Sequence, residues 1–71
     1  MKFTIVFNKG NHEEVTRSVS NSYDKNEFIY NTLTSHNIDH DTAANCAGFC
    51  ELASAGEIYN ETDFDVYIEE D

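Results

Sequence analysis

The chain has 71 residues, of which 39% are hydrophobic and 13% aromatic, and its formal net charge is −10. So short a chain cannot divide its core, which predicts a single domain over residues 1–71, and the aromatic content argues against a disordered acidic tail. The longest apolar runs, FTIVF and CAGFC, fall far below the roughly 18 residues of a membrane span, so we expect no membrane association and a cytoplasmic location.

Charge is unevenly distributed along the chain. All four basic residues and three of the acids lie in the first 25 positions, whereas the other eleven acids follow with no Lys or Arg among them. Negative charge concentrated in this way either keeps a protein soluble or meets a basic partner. Direct binding of nucleic acid is not expected, because it depends on Lys and Arg that neutralise phosphates.

The N-terminal segment predicts a β-hairpin. In KFTIVFN every second residue from Phe3 is large and apolar, as in a strand with one buried face. Turn-forming residues follow at Asn8, Gly10 and Asn11, and EVTRSVS has the alternation of a half-exposed second strand. The two strands should pair antiparallel.

The segment YDKNEFIYNTLTSHN predicts a first helix. We expect it to begin at Lys25 with Asp24 as its N-cap and with Tyr23 packed on the helix as a hydrophobic staple. Asn37 is expected to end the helix in the left-handed conformation. The expected buried stripe is Phe28, Ile29 and Leu33.

A second helix is predicted from about His40 to Ala55, joined to the first by a tight corner and capped by Asp39. Its sequence is apolar around most of its circumference, so we expect burial on more than one side, with Gly56 ending the helix through a positive φ. Three small residues could allow close approach of another backbone: Ala44, Ala47 and Gly48. The face they form is either core or, in part, a docking or dimer surface.

The last segments, EIYN and FDVYIEE, predict two more strands around the connection NETD. The order is then β-β-α-α-β-β, which favours an α+β domain with a mostly antiparallel sheet and both helices packed on one face. In the last strand Phe64, Val66 and Ile68 alternate with polar residues, so one face of the strand is expected to be buried and the other acidic.

This acidic face is the candidate binding surface. Carboxylates two positions apart on a strand lie about 6.6 to 6.8 Å apart, and with interleaved tyrosines they can imitate the charge spacing of a nucleic-acid backbone. The predicted partner-binding residues are Glu57, Tyr59, Glu61, Asp63, Asp65, Tyr67 and Glu69. The alternative is an edge strand that is charged only to prevent sheet pairing and to keep the protein soluble.

We predict no catalytic residue, metal or cofactor. NETDFD lacks the glycine and the distal glutamate of an EF-hand loop. The corner HNIDHD could offer a transition metal two or three ligands, although helix capping already explains its acids. Cys46 and Cys50 lie in an apolar helical segment, unlike the exposed, electropositive setting of reactive thiols, so core packing is favoured over a redox role.

These observations predict a non-catalytic interaction protein whose acidic sheet face binds a basic, nucleic-acid-binding protein. In its brevity, acidity, lack of proline and abundance of asparagine, the chain resembles accessory proteins carried by phages and mobile elements, some of which inhibit host nucleases by presenting acidic surfaces. Two alternatives stay open. One is a self-associating structural module, such as a homodimer, that uses the small-residue helix face or an open sheet edge; the other is a minor metal- or redox-binding protein.

Overall fold

The structure is a computed structural model that describes residues 1–10 and 12–71, so the expected turn residue Asn11 lies outside the described part. The elements are β1 (Lys2–Phe7), β2 (Glu14–Ser18), α1 (Ser22–Ser35), α2 (His40–Leu52), β3 (Ile58–Asn60) and β4 (Phe64–Glu69). The predicted α+β class and the β-β-α-α-β-β order are therefore confirmed. Within the described ranges, no helix has both the length and the hydrophobicity to cross a bilayer.

The chain forms two compact units, a sheet of residues 1–19 and 54–71 and a helical hairpin of residues 20–53. The sheet has the strand order β2-β1-β4-β3, and every neighbouring pair is antiparallel. Although β4 is the last strand in sequence, it lies beside β1 in the middle of the sheet. The N-terminal hairpin and the C-terminal pair are thus joined by a long-range pairing, in which Phe3 faces Ile68 and Ile5 faces Val66.

One face of the sheet is apolar and buried. Its large side chains expose at most 6% of their surface, and each such burial stabilises the folded state by roughly 1.5 to 3 kcal/mol. They are Phe3, Ile5, Phe7, Phe64, Val66 and Ile68. The alternation expected for the first and last strands is therefore confirmed.

Helix α1 begins three residues earlier than the sequence predicts. Its N-cap is Asn21, whose Oδ1 accepts a hydrogen bond from the backbone N of Asp24 at 2.8 Å, while its Nδ2 donates to Asp24 Oδ2 at 2.8 Å. The prediction of Asp24 as cap and Lys25 as first residue was wrong because Asn caps as well as Asp. Asp24 lies inside the first turn, where its carboxylate accepts a hydrogen bond from the side-chain amide of Asn21. Tyr23 also lies in that turn and is 68% exposed, so the predicted staple is absent.

The predicted buried stripe and the predicted end of α1 are both confirmed. Phe28, Ile29 and Leu33 are buried. Asn37 has φ 67°, and the next amide, of Ile38, donates to Leu33 O at 3.1 Å. This is the bonding of a Schellman motif with asparagine in the left-handed position, which turns the chain sharply toward α2.

Helix α2 begins at the predicted cap. Asp39 Oδ2 accepts a hydrogen bond from Thr42 N at 3.0 Å, and Asp39 Oδ1 accepts one from Thr42 Oγ1 at 2.8 Å. These hydrogen bonds, above all the backbone one, hold the pKa of Asp39 below its ordinary value of 3.8. The anionic cap also lies at the positive end of the helix dipole.

The end of α2 differs from the prediction. The helix ends at Leu52, because Ala53 is already extended with ψ 150°. Gly56 has the expected positive φ, 96°, but it lies in the turn before β3, where Glu57 N donates to Ser54 O at 3.2 Å. Gly56 N donates to Ile68 O at 2.7 Å and Ile68 N to Glu57 O at 3.1 Å, so Gly56 is the left-handed residue of a G1 bulge that aligns β3 with β4.

The prediction that α2 is buried on more than one side was wrong. Its buried residues lie on one stripe: Ala43, Cys46, Ala47 and Cys50. On the opposite side Leu52 is 88% exposed and Phe49 37% exposed, and a Cβ added to Gly48 would meet none of the described atoms within 4 Å. Apolar residues on a protein surface are common, and small ones expose little area, so apolar composition around a helix does not by itself imply burial.

Candidate functional site

The sheet has a second face whose side chains are partly or fully exposed, which we call the outer face. Its members follow from the strand registers, since every second residue of a strand points to the same side. They are Lys2, Thr4, Val6, Glu14, Thr16, Ser18, Ile58, Asn60, Asp65, Tyr67 and Glu69. The outer face therefore holds three of the seven predicted partner-binding residues, namely Asp65, Tyr67 and Glu69.

The central row across the outer face combines threonines with exposed apolar groups. Thr4 pairs with Thr16 on one side, their hydroxyl oxygens 3.1 Å apart, and with Tyr67 on the other. Ile58 pairs with Tyr67 from β3. Tyr67 is 38% exposed and Ile58 48% exposed, which gives the row an apolar contact area in the middle of a polar face.

The neighbouring row places two carboxylates around one aliphatic side chain. Val6 pairs with Glu14 of β2 and with Asp65 of β4. Two strand spacings then separate the Glu14 and Asp65 backbones, about 9 to 10 Å. The sequence analysis did not include Glu14 in this surface. The alternation of Glu14 with Thr16 and Ser18 could have indicated that these residues share one face of β2.

These rows form the wall of a shallow groove of about 700 Å³. Its lining includes the apolar or aromatic residues Val6, Ile58 and Tyr67 and the acidic residues Glu14, Glu57 and Glu69. No Lys or Arg of the described chain lines it. The groove therefore combines apolar and anionic surface on a rigid strand scaffold.

Two lysines partly neutralise the predicted acidic surface, which their positions in the sequence did not suggest. Lys2 Nζ lies 3.7 Å from Glu69 Oε1, because β1 and β4 pair these residues directly, and Lys9 Nζ lies 3.1 Å from Asp63 Oδ1. All four side chains are substantially exposed, so each ion pair contributes only about 0 to 1 kcal/mol.

Three other acids of the outer face and of the turn before β3 have no such partner. In the described part of the chain, no basic group lies within 4 Å of Glu14, Glu57 or Asp65. Glu57 is held by its own turn, since its Oε2 accepts a hydrogen bond from Ser54 N. These three carboxylates carry the uncompensated charge of the outer face and the adjoining turn.

Tyr59 was expected on the acidic face together with Tyr67, and this expectation was wrong. The register pairs Tyr59 with Val66, which puts its side chain on the opposite face of the sheet. There the ring stacks on Phe64 with centroids 6.3 Å apart, and the hydroxyl donates to Glu61 Oε2 at 3.3 Å. A one-residue difference in register moves a side chain to the other face of a sheet. Because β3 has only three residues, its sequence shows too little alternation to indicate its register.

Met1 and Asp71 contact each other at one end of the two inner strands, β1 and β4. The Met1 ammonium lies 3.0 Å from Asp71 Oδ2, and Ser18 Oγ donates to Asp71 Oδ1 at 2.7 Å. The hydrogen bond from Ser18, together with the ammonium, holds the pKa of Asp71 below its ordinary value of 3.8.

The side chains of the interhelical corner serve separate local partners. Asp39 caps α2, the ring of His40 hydrogen-bonds the Tyr30 hydroxyl through Nδ1, and His36 Nδ1 lies 2.9 Å from Thr32 O. Across residues 1–10 and 12–71, no group of three His, Cys, Asp or Glu side chains is placed to hold a metal ion. Cys46 and Cys50 are each 0% exposed, on the buried stripe of α2.

Comparisons of the chain with protein family models, with curated proteins and with solved structures found no match.

Proposed function

We propose that the protein is a non-catalytic interaction protein whose outer face binds a basic protein. The observation that carries the proposal is the groove in which exposed Tyr67 and Ile58 lie among the carboxylates of Glu14, Glu57 and Glu69. An apolar centre with a polar, charged rim is the usual anatomy of a protein interface, and tyrosine is enriched at such centres.

Electrostatics favours a cationic partner. The chain carries a net charge of −10, and the outer face and its adjoining turn include three carboxylates without a nearby base in the described chain: Glu14, Glu57 and Asp65. Such a field accelerates the encounter with a basic surface and repels nucleic acid and anionic membranes. The partner is therefore a protein that is itself rich in Lys and Arg.

Proteins that bind nucleic acid are the partner class that best meets this requirement. Asp65 and Glu69 lie on one strand roughly 13 Å apart, from four strand rises, with Tyr67 between them. A basic groove that accepts spaced phosphates and stacked bases could accept these carboxylates and this ring. The protein would then compete with nucleic acid for its partner, in the manner of those phage and mobile-element accessory proteins that inhibit host nucleases through acidic surfaces.

The test compares two variants that have the same net charge. Glu14→Lys with Asp65→Lys reverses the outer face, whereas Glu27→Lys with Asp41→Lys reverses two exposed acids of the helical hairpin; each change takes the formal charge from −10 to −6. Wild type and both variants are immobilised, exposed to host lysate at low salt and eluted with a salt gradient. Circular dichroism checks that each variant is folded.

We expect wild type and the hairpin variant to retain the same basic protein, and the outer-face variant to lose it. Elution should begin at modest salt, because exposed charges are screened over about 8 Å at 0.15 M. Equal loss of binding in both variants would show that net charge alone attracts the protein. Binding that resists the salt gradient would contradict the electrostatic proposal.

A second candidate function, self-association, is favoured by one observation. Leu52 is 88% exposed and Phe49 37% exposed on the same side of α2. In this alternative the helix face pairs with a second copy of the chain. Sedimentation at micromolar concentrations decides it: a dimer that Leu52→Glu dissociates supports self-association, and a monomer at every concentration excludes it.

A further inference from the structure

We infer that the partner contacts the groove with an apolar side chain flanked by basic side chains. This inference rests on the proposed function, because it specifies the partner of the same face. It adds that an apolar side chain of the partner, the anchor, occupies the centre of the groove, so that binding does not depend on charge alone.

The apolar part of the groove is preformed. Tyr67 and Ile58 are direct cross-strand neighbours, and Val6 lies on the adjacent strand. The backbone of β4 is paired on both sides, with β1 and with β3, so Tyr67 projects from an inner strand rather than from a loop. An anchor that enters here meets groups already in place, which lowers the entropy cost of binding.

The charges restrict what can flank that anchor. Glu14 and Glu69 belong to strands on either side of β1, and Glu57 adjoins β3. A wholly apolar segment would remove these carboxylates from water without a partner, which is costly. A wholly basic segment would leave Tyr67 and Ile58 against charged groups. A segment with one apolar residue between basic residues satisfies both parts of the groove.

Two synthetic peptides separate the two contributions. The probes are Ac-RRFRR-NH₂ and Ac-RRSRR-NH₂, which have the same charge and differ only in the central side chain. Their affinities are measured calorimetrically at low salt for wild type and for three variants: Tyr67→Thr, Ile58→Thr and Leu52→Thr. Threonine suits strands, and Leu52, an exposed apolar residue of α2, provides the matched control.

Wild type should prefer the phenylalanine peptide by roughly five- to tenfold, as expected for partial burial of one aromatic side chain. Tyr67→Thr and Ile58→Thr should each reduce this preference by at least about half while leaving the affinity for the serine peptide nearly unchanged. Leu52→Thr should keep the full preference. Because Tyr67 and Ile58 are tested separately, the result does not depend on one variant being folded.

Three contrary outcomes have different meanings. If wild type binds both peptides equally and in a salt-dependent way, the apolar anchor is refuted while the proposed acidic recognition stands. If neither peptide binds at low salt, the proposed function and this inference fall together. A preference that is lost in Leu52→Thr and kept in Tyr67→Thr would move the apolar contact to the helix and overturn the inference.

Discussion

Tyr59 and Tyr67 lie on opposite faces of the sheet. Tyr67 pairs with Ile58 on the outer face, whereas Tyr59 pairs with Val66 and stacks on Phe64. The two tyrosines lie on either side of the short β3–β4 connection and each has acidic residues two positions away, yet the register places their side chains in different surroundings. Tyr59 packs against the sheet, whereas Tyr67 is 38% exposed on the outer face.

Replacing each tyrosine should therefore separate stability from binding. Tyr59→Ala should lower the free energy of unfolding by about 1 to 3 kcal/mol, because it removes a half-buried ring from Phe64. Tyr67→Ala should cost less stability and weaken binding of the basic partner. Urea unfolding and partner affinity are measured for both. If the effects were exchanged between the variants, the assignment of the two faces would be incorrect.

The observed start of α1 gives a second prediction. Asn21→Ala should destabilise the protein by about 0.5 to 2 kcal/mol, since the amide of Asp24 loses its side-chain acceptor. Asp24→Asn is the control, because an asparagine there can still accept the hydrogen bond from Asn21 Nδ2. Urea unfolding followed by circular dichroism measures both changes. A loss for Asn21→Ala no larger than that for Asp24→Asn would show that Asn21 does not cap the helix.

Much of the fold could be predicted from the sequence, because local signals determined it. Alternation fixed β1 and β4, Asp39 provided a cap before an apolar run, and Asn37 provided a left-handed end. The start of α1 was missed because Asn21 and Asp24 are both good caps, and only their mutual hydrogen bonds decide between them.

The composition of the outer face could be predicted only in part. Its membership depends on how β1 pairs with β2 and β4, which brings Glu14 and Lys2 to either side of the predicted acids. Such pairings join residues far apart in the chain, and no periodicity within one strand specifies them. The short β3 likewise gave no signal that Ile58, rather than Tyr59, would accompany Tyr67.

The pH dependence of stability follows from two carboxyls with lowered pKa values. Asp39 is held anionic mainly by the Thr42 amide, and Asp71 mainly by the Ser18 hydroxyl. Since each folded-state pKa lies below the unfolded one, their stabilisation is complete only above about pH 5 and is lost as the pH falls through the folded values. Unfolding free energy should therefore decrease on acidification below that pH.

Asp39→Asn provides the control for this titration. Asparagine caps a helix as well as aspartate does, so stability near neutral pH should change little. In this variant, the contribution of Asp39 to the acid dependence should disappear. In wild type, NMR titration of the carboxyl carbons should give both Asp39 and Asp71 a pKa below 3.8. Values above 3.8 would mean that the two hydrogen-bonded geometries do not persist in solution.

The two lysines near the acidic surface should oppose binding of a basic partner. Lys2→Gln and Lys9→Gln remove the cations beside Glu69 and Asp63, at a stability cost of about 0 to 1 kcal/mol each. Both variants should bind Ac-RRFRR-NH₂ more tightly than wild type at low salt, with Lys2 having the larger effect because it lies on the outer face. Lys25→Gln, in α1, is the matched control and should have less effect. Equal gains in all three variants would indicate a response to net charge alone.

Mapping a bound cationic peptide on the protein tests the central claim most directly. Amide chemical shifts of ¹⁵N-labelled protein are recorded as Ac-RRFRR-NH₂ is added at low salt. The account predicts that the largest changes fall on the outer face, at Thr4, Val6, Asp65 and Tyr67, and that they shrink as salt is added. Changes of similar size at the acids of α1 and α2, or the largest changes there, would contradict it.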